Sequence, residues 1–266
     1  GCLKITGVGS APSDGLKRGV VVNVEKTVKS IQESIDRAEQ MSDTRITAVY
    51  AGIAGDHIRS FNSRGVIAVS GPEKEITAHD EARVIEAAKA INIPLDREIV
   101  HVLPQDFLVD DQPGIQDPIG MSGVRLEADV HIVTGAVTSA QNICKSIRRA
   151  GVEVVDLVLE PIASSYAVLT PDEEEMGVVL VDIGGGTSDI AVFYNGSIRH
   201  TAVVGLGGEN VTHDVSIGMR TPLKQAEALK RMHGCALSSL VSKEEVIEVP
   251  GIAGRQPTMV ERAEMT

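Results

Sequence analysis

Three consecutive glycines, Gly184, Gly185 and Gly186, followed by Thr187, join two apolar runs in "GVVLVDIGGGTSDIAVF" (177–193), with Asp182 before them and Asp189 after. A turn stripped of side chains lets consecutive backbone N–H groups converge on one anion, and glycine permits the positive φ that such a nest uses. Thr187 adds a hydroxyl donor. Asp182, at the end of the first strand, is suited to hold a magnesium ion through water. Two better-known phosphate loops are excluded. No Lys-Ser or Lys-Thr follows the glycines, as a Walker loop requires, and "SDIAVF" alternates like a strand where a dinucleotide fingerprint needs a helix. The bland alternative is a hairpin with a glycine turn.

Three further places carry compatible chemistry. Glu160 ends an apolar run and precedes Pro161, a residue tolerated at the start of a helix, so its carboxylate sits at a strand–helix junction. There it can orient water for attack on a phosphate, or simply favour the helix dipole. "GLGG" (205–208) with Asn210 after it can present backbone donors at a helix N-terminus, or serve as a flexible loop. Glu227 and Lys230, three apart on one helix face, can clamp a ribose or base, although an intrahelical ion pair is the commoner meaning of that spacing.

Composition narrows the class. The 266 residues are 42% hydrophobic and 23% charged, as in ordinary globular proteins, and long enough for two modest domains. Aromatics make up 2%, so the core must be aliphatic and base-stacking platforms for single-stranded nucleic acid are not expected. A net charge of -12 also disfavours a nucleic-acid partner. Cys2, Cys144 and Cys235 lie far apart and fit neither a disulfide framework nor metal-ligand spacing, which points to a reducing compartment. No apolar run approaches the length of a membrane span, and no signal peptide opens the chain.

The elements that must position these residues follow from periodicity. Residues 3–9 and 19–24 read as strand-like, and Asn23 caps a helix over 25–41 with Val28, Ile31, Ile35 and Ala38 inward. A buried strand is expected over 46–55 and a hairpin over 57–71. Thr77 and Asp80 form a capping box before a helix carrying Val84, Ile85, Ala88 and Ile91. After a strand over 98–111, the alternation of Val124, Leu126, Ala128, Val130 and Ile132 predicts a strand with one wet face. Residues 54–132 thus read as a small inserted α+β subdomain. Beyond it come a helix (138–150, with Gly151 at its end), a strand (152–159), a short helix (162–170), strands at 177–183, 188–194 and 197–204, and helices near 209–218 and 222–233. Residues 250–266 are polar and weakly patterned. Alternating β and α implies a sheet covered by helices.

"VVLVDIGGGTSDIAVF" followed by "HTAVVGLGGENVTHDV" resembles the second phosphate motif of the actin, hexokinase and heat-shock-chaperone ATPase superfamily. Within it, "ITGVGSAPSDGLKRGVVVNVEKTVKSIQESIDRAE", "GVRLEADVHIVTG", "EPIASSYAVLT" and "EALKRMHGCALSSLV", in that order, resemble the FtsA family of bacterial cell-division proteins. The resemblance implies an α/β, actin-like fold of duplicated ribonuclease-H-like domains. The first would comprise 1–53 and 133–175, the family-specific insert 54–132, and the second domain with its small subdomain 176–266. It implies ATP and Mg2+ as ligands. Asp182 would organise the metal, and Gly184, Gly185, Gly186 and Thr187 would wrap the β and γ phosphates. Glu160 would position the attacking water, Gly207 and Gly208 would form the later phosphate-side pair, and Glu227 with Lys230 the nucleoside clamp.

The function so implied is a scaffold that links FtsZ filaments to the inner face of the cytoplasmic membrane, self-assembles and recruits later divisome proteins, with slow hydrolysis at most. Against the family pattern, the chain is expected to open at the third strand of the first meander, without the first phosphate loop. It is expected to end before the adenosine motif and the C-terminal amphipathic membrane helix. The rod-shape and pilus-assembly relatives are the nearest alternatives, and a phosphotransferase of the same superfamily is a third. A chaperone-type ATPase is disfavoured by the insert at 54–132.

Overall fold

In a computed structural model, which describes residues 4–71, 73–242, 244–252 and 256–265, the chain separates into two units. One is Gly1–Asp182 with Ser188–Gly205; the other is Ile183–Thr187 with Leu206–Thr266. Residues 1–3, Cys2 among them, lie outside the described residues.

The larger unit begins with residues 4–9, which were expected to be strand-like and form no strand. They run against a helix instead: a Cβ on Gly9 would fall 1.7 Å from Ser34 O, and Val8 N–H points to Met41 Sδ at 3.3 Å. Extended chain becomes a strand only beside a ladder partner, and this segment has a helix there. A short hairpin follows, β1 (Leu16–Lys17) with β2 (Val20–Val21), and then α1 (Val24–Ser42). Asn23 caps α1 by accepting from Lys26 N–H at 3.0 Å. Ile31 and Ile35 join Ala51, Ile147 and Val152 in an aliphatic cluster.

Strand β3 (Ala48–Ile53) leads into β4 (Arg59–Ala68), α2 (Ala78–Lys89), β5 (Arg97–Val109), β6 (Gln112–Ile115) and β7 (Arg125–Ala136). The inserted sheet runs β4-β7-β5-β6, all antiparallel. The expected hairpin over 57–71 is therefore one long strand, paired with β7 some sixty positions later. Its apparent turn residues are polar because of what they touch: Ser63 Oγ donates to Ala88 O at 2.8 Å, and Asn62 meets His131. Thr77 and Asp80 make the expected capping box on α2. Val84 and Ala88 pack on Leu126, Ala128, Val130 and Ile132, the inward face of β7.

The opposite face of β7 is not simply wet. His131 is 1% exposed, its Nδ1 2.6 Å from Asn62 Oδ1 and its Nε2 2.9 Å from Thr201 Oγ1. After β7 come α3 (Val137–Arg149), with Gly151 left-handed just past its end, and β8 (Glu153–Leu159), which pairs parallel with β3. Tyr50 on β3 is 70% exposed, so this strand is less buried than expected: only β8 pairs with it among the described residues. Then follow α4 (Glu160–Val168), α5 (Pro171–Met176), which the sequence reading missed, and the sheet of β9 (Val178–Ile183), β10 (Ser188–Tyr194) and β11 (Ser197–Val204).

Strand β11 covers the outer face of the inserted sheet through polar side chains. Ser60 Oγ donates to Thr201 O at 2.9 Å, Gln105 Nε2 to Ile198 O at 2.7 Å, and Arg199 pairs with Asp106.

The smaller unit holds α6 (Gly208–Gly218), α7 (Leu223–His233) and the hairpin β12 (Val246–Val249) with β13 (Thr258–Glu261). Leu229, Ile247 and Val249 form its core, with Val215, Met219, Val260 and Met265 against them. The weakly patterned end thus contains a strand, recognisable only through its partner β12.

Burial, and then the nearby His200, lower the His131 pKa to about 4. The unfolded chain, with an ordinary histidine, takes up a proton at higher pH than the folded one. Stability attributable to His131 is therefore complete above pH 6.5 and falls as pH drops toward 4. Unfolding free energy measured across that range should fall by roughly 2 to 3 kcal/mol more in the natural chain than in a His131→Gln variant. Equal slopes would show that His131 is not buried neutral.

Candidate functional site

The glycine turn closes on itself and on the helix beside it. Gly184 N–H donates to Thr187 O at 2.9 Å, and Thr187 is buried. The first N–H groups of α6 point at the same turn: Gly208 N–H donates to Gly184 O at 2.9 Å and Glu209 N–H to Gly185 O at 2.7 Å. Asn210 Oδ1 accepts from Gly207 N–H at 2.9 Å, a capping contact closing the helix start. Gly184 and Gly185 lack positive φ, and a Cβ on them would meet nothing nearer than 3.3 and 3.7 Å; closeness is demanded at Gly207 instead. A Cβ on Gly207 would stand 2.6 Å from both Gly184 O and Gly185 O.

A cavity of about 720 Å³ opens beside this contact. Gly184, Gly185 and Gly208 contribute backbone to its wall, and Glu209, Thr212, His213, Leu223, Lys224, Glu227 and Lys230 contribute side chains. Five of the residues singled out from sequence, Gly184, Gly185, Gly208, Glu227 and Lys230, therefore line one space. Gly207 lies behind it as a packing residue. Glu227 and Lys230 do form the intrahelical ion pair, at 2.7 Å, and still face the cavity. Lys230, and then Thr212, hold the Glu227 carboxyl below the usual range through hydrogen bonds. A smaller groove in the other unit, of about 340 Å³, has mostly aliphatic walls, among them Ile31, Ile35, Ile143 and Ile147.

Asp182 and Glu160 belong to the larger unit. Asp182 Oδ2 accepts from Ser164 Oγ at 2.9 Å, so α4 and β9 hold it together. Glu160 is the first residue of α4, and Gly52 on β3 leaves it room: a Cβ there would lie 3.1 Å from Glu160 Oε1. Glu160 keeps access to solvent in a recess. Its pKa is raised first by burial, then by the charges of Asp189 and Asp182. The charges of Asp189 and Asp182 thus act on Glu160, a repulsion that a nearby divalent cation would relieve. Among the described residues no group of three His, Cys, Asp or Glu is placed to hold a metal ion directly.

Sequence reasoning missed Thr212, Ser164 and Gly52. For Thr212 there was a faint signal, a small polar residue four positions after Gly208 and so on the same helix face.

Two family models match the chain: the SHS2 domain inserted in FTSA over residues 55–134, and cell division protein FtsA over residues 179–266. The cell division protein FtsA of Pseudomonas aeruginosa is 52% identical over 98% of this chain, and that of Neisseria meningitidis 49% identical over 97%. The chain spans 62% of the length of each. Among solved structures, a PilM-PilN type IV pilus biogenesis complex shares the fold, with a TM-score of 0.61 at 19% identity over 84% of this chain and 60% of that one.

Gly207→Ala should destabilise the protein by about 1 to 3 kcal/mol, because its methyl group must push the 184–187 turn off α6. Gly218→Ala, where a Cβ meets nothing within 4 Å, should leave stability unchanged or raised. Urea unfolding of both variants checks this, and equal effects would show that the close approach at Gly207 is not a constraint.

Proposed function

Since this chain belongs to the FtsA family, with an actin-like α/β fold carrying an inserted SHS2 subdomain, we propose that it is part of an ATP-binding cell-division scaffold. In this reading the protein links FtsZ filaments to the inner face of the cytoplasmic membrane, self-assembles and recruits later divisome proteins. The observation that carries the nucleotide part is the cavity in which the glycine turn meets the start of α6, with Glu227 and Lys230 on its wall. The domain assignment we propose is 1–53 with 133–175 as the first ribonuclease-H-like domain, 54–132 as the insert and 176–266 as the second.

Each residue has a stated role in that reading. The backbone of Gly184, Gly185 and Gly186, with the Thr187 hydroxyl, grips phosphate, because the bonds tying the turn use the N–H of Gly184 and the carbonyls of Gly184 and Gly185. Gly207 lets α6 approach closely enough to fix that turn, Gly208 N–H bonds to it, and the helix N-terminal dipole favours the anion. Glu227 faces the sugar, with Lys230 holding it in place. Asp182, held by Ser164, is the water-mediated Mg2+ ligand, and the metal when bound would neutralise phosphate charge. Glu160, with its raised pKa, holds the proton-accepting position for an attacking water. The proton affinity of Glu160 comes first from burial and then from the charges of Asp189 and Asp182.

Titration of isotope-labelled protein with Mg-ATP into the millimolar range should shift the amide signals of Gly184 to Thr187 and of Gly208. Asp182→Ala should weaken that binding about tenfold or more. A spectrum unmoved by millimolar nucleotide would exclude the cavity as a nucleotide site.

A further inference from the structure

The geometry points to Thr212 as the positioning residue through which this site selects a ribonucleotide over a 2′-deoxyribonucleotide, an inference that rests on the cavity being a nucleotide site. It follows from counting protons around one hydroxyl. Thr212 is 5% exposed and lies on α6, one helical turn after Gly208. Its Oγ1 stands 2.8 Å from Lys230 Nζ, 2.5 Å from Glu227 Oε2 and 3.0 Å from Gly208 O.

A threonine hydroxyl has one proton to give. Lys230 can only donate, so Thr212 accepts from it and must spend its own proton on Glu227 or on Gly208. The ammonium settles the choice, because Lys230 Nζ also lies 3.0 Å from Gly208 O and can satisfy that carbonyl itself. The Thr212 proton goes to the charged carboxylate, the shorter contact and the stronger bond.

Two consequences follow for a ligand. Lys230 has three protons, and Gly208 O, Thr212 Oγ1 and Glu227 Oε2 account for all three. Lys230 is therefore a strut joining α7 to the start of α6, with no proton left for phosphate. Glu227 Oε2 is likewise occupied, by Thr212 and Lys230 together. Its second oxygen, Oε1, takes no bond from the described residues, and the Glu227 side chain, 44% exposed, lines the cavity, so Oε1 is the oxygen left to accept from a ligand.

A carboxylate can take only donors. The carboxylate lies two hydrogen bonds from the glycine contact, through Lys230 Nζ at 3.0 and 2.7 Å. That reach suits the group next to the phosphates, the sugar, and falls short of the base beyond it. A ribose presents hydroxyl donors at that position, and a 2′-deoxyribose presents one fewer. Without the Thr212 hydroxyl, Glu227 keeps Lys230 but loses the contact that fixes its rotamer, and its aim at the sugar goes with it.

The test is the ratio of dissociation constants for Mg-2′-deoxy-ATP and Mg-ATP, obtained by the same amide-shift titration. A ratio is insensitive to the fraction of a variant that is folded, since both nucleotides report on the same folded molecules. In the natural chain the ratio should be about tenfold, the worth of one hydrogen bond to a charged group. Thr212→Val, of nearly the same shape, should bring it to within about twofold of unity, mostly by weakening ATP. Thr212→Ser should restore it. If the natural chain binds ATP and the valine variant keeps its full preference, or if the natural chain shows none, Thr212 does not act through Glu227 and the inference falls. If the natural chain binds neither nucleotide, the reading of the cavity falls first and takes this one with it.

Discussion

Two backbone hydrogen bonds, from Gly208 N–H to Gly184 O and from Glu209 N–H to Gly185 O, set the geometry of everything around the cavity. A helix start normally leaves its first N–H groups to water or to a capping side chain. Here two of them are spent on the carbonyls of a glycine turn, and the turn is thereby fixed in place. That contact demands a backbone without a side chain at Gly207, since any Cβ would overlap both carbonyls. Once α6 is anchored in this way, Thr212 falls one turn further along, opposite Glu227 and Lys230 of α7. The polar wall of the cavity is then assembled from two helices and a turn with little freedom left in any of them.

The larger unit is governed by a different constraint. The inserted sheet buries both of its faces at one end: aliphatic side chains of β7 go under α2, and its other face goes under β11. The second contact is polar, made by Ser60, Asn62, Gln105, Asp106 and His131. A polar interface of this kind is stable only when its donors and acceptors are matched, which is why His131 is held neutral with both ring nitrogens engaged. Strand β11 is therefore keyed to the insert by specific hydrogen bonds rather than by generic apolar packing.

The site was largely legible from sequence as a set of residues, and less so as an arrangement. Gly184, Gly185, Gly208, Glu227 and Lys230 were singled out by type and spacing, and they line one cavity. The turn glycines were read through backbone freedom, whereas the glycine that the structure demands is Gly207, for approach distance, a property that depends on what lies opposite. Lys230 was read with Glu227 as a clamp or, more commonly for that spacing, an ion pair, and only its three internal acceptors make it a strut. Thr212 drew no notice, because its only signal, a small polar residue one helical turn after Gly208, is faint.

Helix α2 with its capping box, the alternation of β7 and the strands on either side of the glycine turn were all fixed by local chemistry. Caps, periodicity and glycine runs act within a few residues, so the sequence carries them openly. The pairing of β4 with β7, the strand at 258–261, the helix running beside residues 4–9 and the buried outer face of β7 were decided only by the tertiary structure. Each depends on a partner far away in the chain. Whether an extended segment becomes a ladder strand, or a polar residue becomes buried, is determined by the group that arrives to meet its donors and acceptors, and no local pattern encodes that arrival.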